Sequence, residues 1–74
     1  MTFIKLNIRE PAPYGEFSRR QAYINAKEIV EICEDQDNRT NEYFSRIRLR
    51  DGREMCASGR PEAVIRKIVG VEEV

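Results

Sequence analysis

The sequence has no histidine and no tryptophan in its 74 residues, and only two cysteines, Cys33 and Cys56. Without histidine, the side chain that most often serves as general base near neutral pH and as metal ligand is missing. Two cysteines far apart do not make a zinc set, and they are too few for the disulfide framework of a small secreted domain. Both fall within apolar strand patterns, where a cysteine reads as a small packing residue with a free thiol. No glycine-rich loop leads from a strand into a helix, so no phosphate cradle is formed. No apolar run approaches transmembrane length and no segment resembles a signal peptide, so the expectation is a soluble, cytoplasmic protein without membrane contact. Carboxylates are plentiful, as at Glu31, Glu34, Asp35 and Asp37. Their spacing gives neither a calcium loop nor an acid-base pair with separated roles. Together these absences point away from an enzyme, and no metal or cofactor is expected.

Charge of one sign is also missing in excess. Thirteen basic residues balance thirteen acidic ones, whereas nucleic-acid affinity rests on surplus Lys and Arg that neutralise phosphates. The distribution is uneven, however. Lys27 to Glu42 holds two basic and six acidic residues, and Tyr43 to Arg60 holds five basic and two acidic. Ten of the thirteen basic residues are arginine, which favours planar, bidentate contacts over diffuse attraction. The length suits one domain spanning 1–74. A chain of this size buries only about 60–65% of its unfolded surface, so a partner or a second copy would help its stability.

What is present is a fold pattern centred on Tyr43 to Val69. Tyr43, Ser45, Ile47 and Leu49 fall on one face of a strand, and Phe44, Arg46 and Arg48 on the other. Asp51-Gly52 is a turn signal. A two-residue loop would pair Leu49 with Glu54 and mix polar with apolar on each face. A three-residue loop, Arg50 to Gly52 with Gly52 left-handed, pairs Arg48 with Glu54 and Ile47 with Met55, and the apolar pattern selects it. Pro61 suits a first helical turn, with Ser58 or Gly59 near enough to cap it. Val64, Ile65, Ile68 and Val69 then mark the buried stripe, and Gly70 the stop. Upstream, Thr2 to Arg9 alternates as a strand, with Ile4, Leu6 and Ile8 on one side. Glu10 to Ser18 reads as a loop whose aromatics are Tyr14 and Phe17. Arg19 to Asn25 is a second strand with Ala22 and Ile24 inward. Asn25 to Glu28 reads as a tight turn or a single helical turn capped by Asn25. Ile29, Val30, Ile32 and Cys33 fit a helix or a strand by spacing, and β-branched content favours the strand. Asp35 to Asn41 is a polar loop.

Tyr23-Ile24-Asn25-Ala26, Ile29, Ile32, Ile47 to Gly52 and Glu62 to Ile65 with Ile68 resemble the FlbD-type small bacterial proteins associated with flagellar operons. The segment Pro11 to Phe17 is longer than that family's first hairpin. The resemblance implies a small accessory or regulatory protein without catalytic residues. The isoleucine-bearing strand, the strand ending in Asp51-Gly52-Arg53 and the amphipathic helix are also similar to the middle of LytTR DNA-binding domains. Short, histidine-poor phage proteins that inhibit host machinery are a third comparison.

The expected architecture is α+β: a curved antiparallel sheet of about five strands, with one C-terminal helix packed on one face. The expected function is a small non-enzymatic protein-interaction or regulatory module. The candidate surface is the arginine-bearing strand, with Phe44, Arg46 and Arg48 beside Arg50 and Arg53 at the turn. Aromatics mixed with arginine are enriched at binding hot spots, and an acidic protein is the partner such a strip would take. Nucleic acid is the alternative ligand, and a homodimer is compatible with the size.

Overall fold

The computed structural model describes residues 2–11 and 17–72. They form β1 (Phe3–Pro11), β2 (Phe17–Asn25), a single 3-10 turn (Ala26–Glu28), β3 (Ile29–Gln36), β4 (Tyr43–Leu49), β5 (Glu54–Ser58) and α1 (Pro61–Glu72). The strands make one antiparallel sheet in the order β2-β1-β5-β4-β3. The expected α+β architecture is therefore the observed one, though the first hairpin is longer than alternation suggested. Strand pairing runs out to Pro11 opposite Phe17, so Glu10, Phe17 and Ser18 belong to the ladder, and Tyr14 lies outside the described residues.

The β4–β5 hairpin has the three-residue loop. Arg48 faces Glu54 and Ile47 faces Met55, the Leu49 amide donates to the Arg53 carbonyl at 2.8 Å, and Gly52 has φ +92°. That register keeps Ser45, Ile47, Leu49 and Ala57 on one face, all buried. Ser45, fully covered, donates to the Gly59 carbonyl at 2.8 Å, which removes the cost of an unpaired buried hydroxyl. Asn25 caps the 3-10 turn by accepting from the Lys27 amide at 3.1 Å.

A bulge resolves the ambiguous spacing of β3. Ile29 faces Leu49 and Glu31 faces Arg48, so Val30 is the extra residue. The phase of alternation shifts there, and Ile29 and Ile32, three apart in sequence, both pack against the core.

That core comprises Ile4, Leu6 and Ile8 of β1, Ile47 and Leu49 of β4, Ala57 of β5 and Val64 of α1. The helix differs from expectation in three ways. Neither Ser58 nor Gly59 caps it: the Arg60 carbonyl accepts from the Ala63 amide at 3.0 Å, while the Ser58 hydroxyl is buried without a hydrogen bond. Its buried line is narrower, running through Val64 and the half-buried Pro61 and Ile68, because a lone helix lying on a sheet touches it along one line. Ile65 and Val69 remain 47% and 45% exposed. Gly70 does not stop the helix, which continues to Glu72. A glycine terminates a helix by taking a left-handed conformation, and among the described glycines only Gly52 and Gly59 have positive φ.

Candidate functional site

The face of the sheet away from α1 carries the candidate strip. Phe44, Arg46 and Arg48 point there because they alternate with the buried Ser45, Ile47 and Leu49. The strip does not present free cations. Arg46 meets Asp35 at 2.6 Å and Arg48 meets Glu31 at 3.6 Å, both carboxylates coming from β3. Arg48 thus turns from Glu54, its backbone partner on β5, toward the opposite neighbour. Arg50 donates to the Lys27 carbonyl at 3.0 Å and lies 3.8 Å from Glu28. Arg53 pairs within the turn with Asp51 at 2.7 Å. The acidic run and the basic run of the sequence are thus neighbouring strands whose charges meet across the sheet. These pairs are exposed, and such pairs are worth little each.

Phe44 is half-buried and lies beneath a residue that alternation alone does not single out. Arg9 of β1 extends across this face, its guanidinium 4.7 Å from the Phe44 ring centre and 3.0 Å from the Asp37 carboxylate. Its side chain is 5% exposed and that of Asp37 8%, so this is a covered ion pair. Arg19, the β2 neighbour of Arg9, reaches Glu42 at 3.5 Å. Strands far apart in the sheet order are thereby joined through the β3–β4 turn, so the sheet curves. The Arg39 amide, at 2.9 Å, and the Arg9 guanidinium hold the Asp37 carboxyl below the usual aspartate range, against burial, which raises it. The Arg53 amide and guanidinium likewise lower Asp51.

A different set of cations has no carboxylate partner among the described residues. Lys5 of β1 and Arg66 and Lys67 of α1 line a shallow depression with Phe3, Tyr23 and Ile4. None of the three forms an ion pair among the described residues. Lys67 spans helix and sheet by donating to the Lys5 carbonyl at 2.7 Å. Phe3 and Tyr23 are 49% and 67% exposed. They share a sheet face because Lys5 faces Tyr23 and Phe3 faces Asn25. Sequence reasoning passed over this corner. Its signal was present in the phase of Phe3 and Tyr23, each beside an inward isoleucine, but only the fold brings Arg66 and Lys67 to them.

Among the described residues no cluster of Cys, Asp and Glu is arranged to hold a metal ion, and no helix is long and apolar enough to cross a membrane. Comparison with family models, with curated proteins and with solved structures gave no match.

Proposed function

We propose that the protein is a small non-enzymatic interaction module that binds an acidic protein segment, and that the anion-facing surface is the Phe3, Tyr23, Lys5, Arg66 and Lys67 corner. One observation carries this reading: among the described residues, cations without a carboxylate partner and two exposed aromatic side chains line one shallow depression. A carboxylate arriving there meets no carboxylate already paired with these cations among the described residues, and Lys67 keeps donors beyond the one it gives to the Lys5 carbonyl. One arriving at Arg46 or Arg48 must first displace Asp35 or Glu31, so the arginine strand is the weaker docking surface. Exposed aromatics supply rigid contact area at small entropic cost, and the cations set orientation and speed of encounter.

The same mixture of rings and cations would suit single-stranded nucleic acid, where bases stack on aromatics. Zero net charge weighs against it. A titration of amide chemical shifts separates the two readings. An Asp/Glu-rich peptide carrying one aromatic should move Phe3 to Lys5, Tyr23, Arg66 and Lys67, and the shifts should vanish in Lys5→Glu/Arg66→Glu. An oligothymidylate should bind more weakly. Shifts centred on Arg46 and Arg48 would return the site to the β4 strand; tighter binding of the oligonucleotide would favour nucleic acid; no response to either ligand would remove the reading.

A further inference from the structure

The edge of the sheet opposite β2 is β3, hydrogen-bonded to β4 on one side and to no strand on the other among the described residues. An open edge presents a row of backbone donors and acceptors ready for another strand. Beside it a shallow groove runs between β3 and α1, lined by Ile29, Val30, Ile32, Ile65 and Ile68 with Glu31 among them. Val30 and Ile65 are 49% and 47% exposed, and Val69, one turn beyond Ile65, is 45% exposed.

We propose that a second copy of this chain occupies this edge, giving a two-fold dimer in which β3 pairs antiparallel with its own counterpart and the sheet continues across both subunits. Three observations select a second copy. First, an antiparallel edge contact has its two-fold axis normal to the sheet, which places both helices on the same side. The apolar flank of α1 then meets the same flank of its mate, so one partner satisfies both backbone edge and groove, as an isologous interface requires.

Second, the carboxylates along this edge do not forbid self-pairing. Glu28, Glu31, Glu34 and Asp35 have Arg50, Arg48, Arg60 and Arg46 of their own chain at 3.8, 3.6, 3.9 and 2.6 Å. The edge is electrically quiet, so it does not call for a basic foreign segment, and two identical edges meet with little net repulsion. Third, the buried hydrophobic core among the described residues amounts to seven side chains, and a chain this small gains from covering more apolar surface.

The two-fold lies near the middle of β3 when the strand pairs over its length, which brings Ile32 and Cys33 close to the axis. Cys33 is an exposed free thiol, whereas Cys56 lies two strands inward on β5. This gives a direct test. Sedimentation equilibrium should return twice the 8.7 kDa chain mass. A short bis-maleimide should convert the protein to a covalent dimer, and Cys33→Ser should abolish the product while Cys56→Ser leaves it. Ile65→Asp and Val69→Asp, both at exposed positions, should give monomers with unchanged far-ultraviolet circular dichroism. A wild-type monomer across the accessible concentration range overturns the proposal. So does a dimer that survives both Asp substitutions, or cross-linking that persists without Cys33. Lys5→Glu/Arg66→Glu, which removes the proposed acidic-partner site, should leave the dimer intact, so the two proposals stand or fall separately.

Discussion

At Gly52 the backbone stands at φ +92°, and a Cβ built there would meet nothing within 4 Å. The position is therefore conformationally strained for other residues but not crowded. Gly52→Val should lower stability by on the order of 1 kcal/mol or more through backbone strain alone, measured by urea denaturation. Gly52→Asn, which tolerates the left-handed region better, should lose less. Asp37 makes a different kind of contribution. Its folded carboxyl is held below the ordinary value of about 3.9, so its stabilisation is fully present above that value and is lost as pH falls through the lower folded one. Neutral and alkaline pH should leave it unchanged. Melting temperatures of wild type and Asp37→Asn should thus differ at pH 7 and converge in the acid range. A gap that widens on acidification would reverse the assignment. The cysteines also read differently in three dimensions. Cys33 and Cys56 flank Arg46 on neighbouring strands, about 9–10 Å apart by strand spacing, too far for a disulfide. Cys33 is exposed rather than a packing residue.

Among the elements, α1 shows how far a periodic pattern can mislead. Val64, Ile65, Ile68 and Val69 share a broad stripe on the helical wheel, yet a lone helix resting on a sheet is covered only along the central line of that stripe. Ile47→Ala, at a fully buried position, should cost about 2–5 kcal/mol, the range for truncating a buried isoleucine. Ile68→Ala, half-buried, should cost less than this. Ile65→Ala should fall within roughly 0.5 kcal/mol, as for an ordinary surface change, when measured at concentrations where the chain is monomeric. A large loss at Ile65 in the monomer would mean that the helix turns another face to the sheet. β3 is the complementary case, since one bulged residue lets a spacing of three serve a strand with one buried face.

For the molecule as a whole, the covered Arg9–Asp37 pair and the Arg19–Glu42 contact hold the curvature of the sheet by tying β1 and β2 to the β3–β4 turn. Removing one member of a covered pair leaves an uncompensated charge, while replacing both with apolar groups of similar shape is often close to neutral. Arg9→Met should therefore lower the melting temperature more than Arg9→Met combined with Asp37→Leu, a non-additive cycle that thermal unfolding at pH 7 resolves. Losses that simply add, with the double variant losing as much as Arg9→Met and Asp37→Leu together, would mean that the pair is not coupled.

The strands, the three-residue hairpin loop, the capped 3-10 turn and the start of α1 were legible in the chain because each depends on residues a few positions apart. Alternation, glycine at positive φ and proline at a first helical turn are local effects. The electrostatics of the surface were not legible. Whether Arg46 and Arg48 stand free depends on Asp35 and Glu31, and those become neighbours only when β3 pairs beside β4. Lys5 and Arg66 lie sixty-one positions apart in the chain, and α1 must cross back to β1 before they join Phe3 and Tyr23 in one cationic corner. Arg9 shared the outward phase of Phe3 and Lys5, and it is covered only because the curved sheet brings Phe44 and Asp37 against it. Local backbone preference thus determined the elements, while long-range pairing decided which charges are cancelled and which remain for a partner.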